Sequence, residues 1–313
     1  MNAARVLLLA PEAAPAELGT GLPRMFLPIQ NRSLLEHNLD LIQRNGLAEV
    51  YLCLGNYRQP WVRQSAQASS PLPLHCLQNI ADLAALLSDL AAETPILVLA
   101  SDALTDYPLE TLLAEHWAWG LPVSVAEGES SQIGVWAASA GILRPFAATA
   151  FARPHQLLSE LLQARTIART QHLAGSFTEI PTVEAYLQAH RERAVAHAPV
   201  GKGCLIAPSA SLSPLARIGP GCRIGPGAVI AGASCLAAGC VVSADAYLHD
   251  AVLWEGAKVG VQAQLSDCVV AREAVIARAA QISAGAVVPE LAYLPPGACL
   301  TGSLGQPQAE VPV

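Results

Sequence analysis

The chain has 313 residues, of which 52% are hydrophobic and 14% are charged, and its formal net charge is −7 at pH 7. This composition excludes a largely disordered protein and allows two domains, each with its own core. The negative charge, without any cluster of Lys and Arg, argues against a nucleic-acid partner.

The first apolar run is short, covering residues 6–10 between Arg5 and Pro11. It is too short to span a bilayer, and it lacks the small-residue cleavage site of a secretory signal. We therefore expect a cytoplasmic protein with no membrane partner. Eight cysteines are present without a C-x-x-C pair, which gives little support to a zinc or redox site.

Strand-like and helix-like segments alternate over the first 190 residues. The predicted strands cover residues 5–10, 49–54, 96–100 and 122–126, and the predicted helices cover residues 33–44, 79–92 and 109–117. The first helix is expected to begin with a capping box, because Glu36 follows Ser33 by three residues. The alternation predicts a Rossmann-like α/β domain with a parallel sheet. Ligands bind at the carboxyl ends of such strands, which places a site at residues 10–24 and at Ser101 and Asp102.

The C-terminal third follows a six-residue repeat. The repeated aliphatic positions, with five-residue steps after Leu248 and Leu265, are Val200, Ile206, Leu212, Ile218, Ile224, Ile230, Leu236, Val242, Leu248, Leu253, Val259, Leu265, Val270, Ile276, Ile282 and Val288. Six residues make one short strand and a turn, and three such units close a triangular coil. The pattern predicts a left-handed parallel β-helix of roughly five coils, which Pro295-Pro296 is expected to end. The five cysteines inside the repeats, Cys204, Cys222, Cys235, Cys240 and Cys268, are expected to pack rather than react.

The predicted organisation has three parts. An α/β domain covers residues 1–195, the β-helix covers residues 196–305, and residues 306–313 form a tail. Lightly charged β-helix faces favour association, so a homo-oligomer or a complex with a paralogous subunit is expected.

Several segments follow one another in an order typical of one enzyme family. Residues 23–29 read Pro-Arg-Met-Phe-Leu-Pro-Ile and lead into the helix that begins Ser-Leu-Leu-Glu. An apolar strand then ends at Asp102, and Ala140-Gly141-Ile142 and residues 177–187 (FTEIPTVEAYL) come later. This order resembles the sugar-1-phosphate nucleotidyltransferases, and the β-helix behind it is similar to the mannose-1-phosphate guanylyltransferase-like branch. The resemblance covers nearly the whole chain.

The resemblance implies a reaction in which a sugar phosphate attacks the α-phosphate of a nucleoside triphosphate and pyrophosphate leaves. It implies Arg24, which stands in place of the family's Lys, and Asp102 as catalytic residues. It also implies Mg²⁺ as the cofactor, with Asp102 and Glu179 as its ligands, Glu179 replacing the family's second Asp. The partner would be a nucleotide or a nucleotide sugar.

The loops that would bind the nucleotide depart from the family pattern. The implied substrate-binding residues are Gly19, Thr20, Gly21 and Gly141. Pro11 and Pro15 each remove an N–H donor from the phosphate loop. Glu12 and Glu17 bring negative charge toward a triphosphate. The loop that would hold the base is matched only weakly between residues 73 and 82.

Three functional hypotheses remain open. The degraded loops favour a weak or non-catalytic relative that binds a nucleotide sugar and acts as a regulatory subunit. The second hypothesis is an active sugar-1-phosphate nucleotidyltransferase. The third is a hexapeptide-repeat acyltransferase, in which His249 would act as the general base.

Overall fold

The computed structural model of the chain describes residues 4–10, 18, 22–55, 57, 59–128, 134–152, 156–164 and 168–302. The chain divides into two compact units. The first contains the described residues of Met1–Ala13, Pro23–Leu27 and Ser33–Glu179, and the second contains those of Ala14–Leu22, Pro28–Arg32 and Ile180–Val313. The domain boundaries predicted at residues 195 and 305 stay predictions.

The helices and strands up to residue 192 alternate much as predicted. In chain order they are β1 (Arg5–Leu9), β2 (Pro28–Ile29), β3 (Arg32–Ser33), α1 (Leu34–Arg44), β4 (Val50–Cys53), α2 (Pro60–Ala68), β5 (Leu74–Leu77), α3 (Ile80–Asp89), β6 (Pro95–Ala100), β7 (Ala103–Thr105), α4 (Leu109–Trp119), β8 (Val123–Glu127), β9 (Val135–Ser139), α5 (Ala140–Leu143), α6 (Ala147–Ala152), α7 (Leu157–Gln163), β10 (Ala168–His172), β11 (Phe177–Glu179) and α8 (Val183–Glu192). Short 3-10 turns cover Arg24–Phe26 and Arg144–Phe146.

Helix ends follow from local chemistry. α1 begins with the predicted capping box, in which the Ser33 N–H donates to Glu36 at 2.6 Å and the Glu36 N–H donates to the Ser33 hydroxyl at 3.2 Å. α4 runs two residues past its predicted end because Gly120, at φ 57°, supplies the left-handed residue that stops it. α2 was not predicted, although Pro60 at its first turn is a helix-start signal.

The first unit is built on a seven-stranded sheet in the order β10-β8-β9-β6-β1-β4-β5. Its strands run parallel, as predicted, except β9, an unpredicted strand that is antiparallel to β6 and β8. The chain between β8 and β9 is short, whereas a parallel crossover needs a dozen or more residues. β4 and β5 lie on one side of β1 and β6 lies on the other, so the strand order reverses between β1 and β6.

The sheet is buried on both faces. Along β1, Val6 and Leu8 belong to one hydrophobic cluster, while Leu7 and Leu9 belong to another. Strands covered on both faces carry continuous apolar runs rather than alternating ones. This burial explains why the sequence of β1, Arg-Val-Leu-Leu-Leu, has no polar residue after the first.

The second unit contains seventeen short strands in three parallel sheets. They are β12 (Leu205–Ile206), β13 (Ser211–Leu212), β14 (Arg217–Ile218), β15 (Arg223–Ile224), β16 (Val229–Ala231), β17 (Cys235–Leu236), β18 (Val241–Val242), β19 (Tyr247–His249), β20 (Val252–Leu253), β21 (Lys258–Val259), β22 (Gln264–Ser266), β23 (Val269–Val270), β24 (Val275–Ile276), β25 (Gln281–Ser283), β26 (Val287–Val288), β27 (Tyr293–Leu294) and β28 (Cys299–Thr301). Each strand pairs with the third strand after it, which is the pattern of a β-helix with three faces.

The repeat positions fill the interior of this β-helix. Every aliphatic repeat position from Ile218 to Val288 is at most 3% exposed. The five-residue steps after Leu248 and Leu265 are accommodated at Asp250 and Asp267, which both adopt φ 47°. The sequence prediction of stacked six-residue units is therefore confirmed.

Both ends of the predicted array need correction. Val200 is 46% exposed and lies outside the strands, which begin with β12. Pro295-Pro296 does not end the array, because β28 pairs with β25 beyond it. Pro296 lies in the turn between β27 and β28, as Pro220 lies in the turn between β14 and β15. The coil-to-coil bond of this turn comes from the next residue, Gly297, whose N–H donates to the Arg278 carbonyl at 2.9 Å, so proline at position 296 costs little.

Helix α8 and the hairpin at residues 28–32 pack on the β-helix within the second unit. The Tyr186 hydroxyl donates to the Pro28 carbonyl at 2.7 Å and accepts from the Trp254 indole at 3.0 Å. Arg191 donates to Asp250 at 3.1 Å and forms an ion pair with Asp267. The five-residue steps thus present two stacked carboxylates to one arginine of α8. Within the described ranges, no helix combines the length and hydropathy that crossing a bilayer requires.

Candidate functional site

The carboxyl ends of β1 and β6 lie side by side. Leu9 pairs with Ala100, and the Ser101 N–H donates to the Leu9 carbonyl at 2.8 Å, which keeps the two strands together beyond β6. The chain then turns at Asp102 and enters β7. Because the strand order reverses between β1 and β6, this edge is where an open α/β sheet offers a ligand crevice.

Arg24 and Asp102 meet at this edge. Arg24 Nη1 lies 3.3 Å from Asp102 Oδ2, and their side chains are only 13% and 8% exposed. The 3-10 turn at Arg24–Phe26 positions the Arg24 side chain. Met25 holds this turn in the core, because its side chain is only 1% exposed. The two residues implied as catalytic are therefore brought together, as a largely buried ion pair.

Asn38 holds the loop around Asp102 and was missed by the sequence analysis. Its side-chain amide donates to the carbonyl of Ala103 at 2.9 Å and to that of Ser101 at 3.4 Å, on either side of Asp102. Asn38 is 1% exposed on the buried face of α1. The sequence did contain a signal for this role, because Asn38 is a polar residue on the apolar face of the helix that carries Leu35 and Leu39.

Replacing Asn38 with Leu is expected to lower the free energy of unfolding by about 1–3 kcal/mol for each carbonyl that loses its donor. Urea denaturation of the purified protein measures the change. The matched control is Gln43→Leu, an exposed position of the same helix, which should shift stability by less than about 0.5 kcal/mol. Equal effects of the two substitutions would show that Asn38 does not hold the loop.

Glu179 reaches the same edge through a different strand. β11 pairs antiparallel with β7, and Glu179 is opposite Ala103, the residue after Asp102. The Glu179 side chain is exposed. The pairing explains how a residue 77 positions later in the sequence comes beside Asp102.

Mg²⁺, which the resemblance implies, does not fit the described side chains as they stand. Asp102, the central ligand implied for it, is 8% exposed, and its Oδ2 atom lies 3.3 Å from the Arg24 guanidinium, so a cation there would meet a positive charge already in place. Within the part of the chain that the structure describes, no three His, Cys, Asp or Glu side chains form a group able to hold a metal ion.

Gly141 lies away from this edge. The Ala140 N–H donates to Thr94 and the Gly141 N–H donates to Ala92, which places Gly141 beside the start of β6. Asp102 follows the end of that strand, about 17 Å further along at the usual rise per residue. The structure does not bring Gly141 together with Arg24 and Asp102. Gly19, Thr20 and Gly21 lie outside the described residues.

His249 lies in the β-helix on strand β19. Its side chain is 44% exposed, and its Nδ1 atom is 3.9 Å from Asp250 Oδ2. The Asp250 carboxylate also accepts the Ala233 N–H at 2.7 Å and the Arg191 guanidinium at 3.1 Å. Asp250 therefore has a structural role in the coil turn and in the contact with α8, in addition to its contact with His249.

Residues 215–288 match a family model described as "GlmU-like, C-terminal hexapeptide". No curated protein matches the chain. The matched segment runs from the turn before β14 to the end of β26, which is most of the β-helix. The match identifies residues 215–288 as a hexapeptide-repeat region of this GlmU-like type.

Proposed function

We propose that the first unit binds a nucleotide or a nucleotide sugar at the edge formed by β1 and β6, without efficient catalysis. In this proposal the protein is a degenerate relative of sugar-1-phosphate nucleotidyltransferases of the mannose-1-phosphate guanylyltransferase-like branch. The β-helix is left-handed and serves assembly, either with further copies of this chain or with a paralogous subunit. The hexapeptide match of residues 215–288 supports the relationship.

The ion pair between Arg24 and Asp102 carries the proposal. Arg24 supplies a guanidinium at the crevice, and a guanidinium suits phosphate oxygens through its planar set of donors. The same guanidinium engages the carboxylate that an active relative would use for its metal. A phosphate group and Asp102 therefore compete for Arg24, which favours weak binding over turnover.

Binding and turnover can be separated by one experiment. Isothermal titration with UTP, GTP and dTTP, each with and without Mg²⁺, measures affinity, and a pyrophosphate assay with glucose 1-phosphate and mannose 1-phosphate measures turnover. We expect one nucleotide to bind without needing Mg²⁺ and no pyrophosphate to form. Pyrophosphate release would instead establish an active enzyme, and absence of binding would refute the nucleotide site.

The variant Asp102→Asn sharpens this test. Removing the negative charge beside Arg24 is expected to tighten Mg²⁺-free nucleotide binding about tenfold, equivalent to about 1.4 kcal/mol. An enzyme that needs Asp102 to hold its metal would lose activity with the same substitution. The wild-type protein at matched ionic strength is the reference, because phosphate binding depends on salt.

The hexapeptide match also favours a second candidate, an acyltransferase, for which we propose His249 as the general base. An acetyl-CoA hydrolysis and transfer assay tests it, with His249→Ala as the variant. Loss of a measurable activity in His249→Ala would support the acyltransferase. Activity that survives the substitution, or that is absent from the wild type, would exclude His249 as a general base.

A further inference from the structure

Three cysteines stack at one corner of the β-helix. Cys204, Cys222 and Cys240 each precede a strand of the same six-stranded sheet, and they follow one another at intervals of 18 residues. Ladder hydrogen bonds from Leu205 to Cys222 and from Arg223 to Cys240, both 2.9 Å, keep them in register. All three are free thiols.

The three side chains share one orientation. Each sulfur atom lies 3.1 Å from a carbonyl oxygen, with Cys204 beside Gly219, Cys222 beside Ala237 and Cys240 beside Trp254. Because the orientation repeats, neighbouring sulfur atoms are about one strand spacing apart, roughly 4.8 Å. Their Cα atoms have the same spacing, which lies within the range of roughly 4.4–6.8 Å found in disulfides. The Cα spacing therefore allows a disulfide between neighbouring thiols, once a small backbone adjustment brings their Cβ atoms to the roughly 3.5–4.5 Å that the bond requires.

The thiols differ in exposure and in acidity. Cys222 and Cys240 are fully buried, whereas Cys204 is half-buried in the first coil, so an oxidant reaches Cys204 first. A hydrogen bond from the Cys240 thiol lowers the pKa of Cys222, while burial acts in the opposite direction. A lowered pKa raises the thiolate fraction, and the thiolate is the nucleophile in disulfide formation.

We propose that Cys204 and Cys222 are an oxidisable pair that a peroxide converts into a disulfide joining the first two coils. The Cys204 thiolate attacks the peroxide, so that an S–O bond forms, the O–O bond breaks and hydroxide leaves as water after taking a proton. The Cys222 thiolate then attacks the Cys204 sulfur, and the S–S bond replaces the S–O bond as a second water leaves. Two thiols and one hydrogen peroxide thus give one disulfide and two waters.

The disulfide would link the two ends of the chain segment from Cys204 to Cys222, which makes one full coil of the β-helix. The first coil has strand partners on one side only, since β12 is the terminal strand of its sheet. A covalent bond to the second coil limits fraying of that end. A dithiol reductant returns both cysteines to the free thiol state, so the modification is reversible.

Peptide mapping of the full-length protein tests the pair. The protein is treated with hydrogen peroxide, its remaining thiols are blocked with iodoacetamide, and it is digested with trypsin. Cleavage after Lys202, Arg217 and Arg223 places Cys204 in residues 203–217 and Cys222 in residues 218–223. We expect mass spectrometry to detect these two peptides joined by a disulfide, with a mass two hydrogen atoms below the sum of the separate peptides. Treatment with dithiothreitol should reduce the disulfide and release both peptides.

Three variants control the experiment. Cys204→Ala and Cys222→Ala should each abolish the cross-link, and alanine occupies the corresponding repeat position at Ala216 and Ala228, so folding is expected to persist. Cys299→Ala, at an exposed cysteine of the last strand, should leave the cross-link intact. The proposal would be overturned if residues 218–223 were instead linked to residues 224–258. It would also be overturned if no disulfide formed in the folded wild-type protein after peroxide treatment.

Discussion

Replacing Arg24 with Ala is expected to lower the free energy of unfolding by about 3–5 kcal/mol, as is typical when one partner of a buried ion pair is removed. The Asp102 side chain is 8% exposed, so its carboxylate would stay in a poorly solvated place after losing this guanidinium. Urea denaturation at pH 7 measures the loss.

The control for Arg24→Ala is an ion pair of the same chemistry at the surface. Arg272 Nη2 lies 2.8 Å from Glu255 Oε2, with both side chains more than half exposed. Arg272→Ala should therefore cost at most about 1 kcal/mol. The double variant Arg24→Met, Asp102→Leu should recover most of the stability lost in Arg24→Ala, because removing both charges avoids the desolvation cost. A double variant no more stable than Arg24→Ala would show that the loss comes from packing and not from charge.

Arg24→Ala also tests the proposed function. If Arg24 contacts phosphate, nucleotide affinity should fall by about ten- to a hundredfold, the equivalent of one charge-assisted hydrogen bond. Isothermal titration with the nucleotide that binds best to the wild type measures this change. If a folded variant binds the nucleotide with unchanged affinity, Arg24 does not contact the nucleotide. That result would not contradict the fold described above.

Replacing Leu265 with Ala is expected to lower the free energy of unfolding by about 2–5 kcal/mol. Leu265 is fully buried on β22 in the interior of the β-helix, where coils above and below leave little room for collapse. The cost combines the lost transfer of apolar surface from water with the cavity that remains. Thermal and urea denaturation both measure it.

The neighbouring residue on the same strand gives the matched control. Gln264 is exposed on the outer face of β22. Gln264→Ala should change stability by less than about 0.5 kcal/mol. Similar losses for the two substitutions would contradict the assignment of inward and outward positions that the six-residue repeat provides.

The β-helix could be predicted in detail because its register is local. Each coil repeats one pattern, so an aliphatic residue such as Ile224 or Leu253 marks the interior from its spacing alone. The errors fell at the ends, where Val200 lies outside the strands and Pro296 occupies a turn. Spacing does not record which N–H groups are available for pairing: Pro199, before Val200, has none, so only the Gly201 N–H bonds to the next coil, at the Ile218 carbonyl.

In the first unit, the sequence identified the strand ends that carry the candidate site but not their surroundings. Arg24 and Asp102 were recognised from their motifs, and the structure brings them into contact. The antiparallel direction of β9 and the role of Asn38 were not recognised. Both depend on which segments meet across the sheet, and no periodicity along the chain records that.

The sequence by itself determined the six-residue repeat, the order of the main strands and helices and the residues at the end of β6. Only the tertiary structure decided that Arg24 engages Asp102, that β11 brings Glu179 beside that turn and that Gly141 lies at the far end of β6. The physical reason is that repeat and strand signals arise from side chains close in sequence. The charge balance of a site depends instead on groups that folding brings together from distant positions.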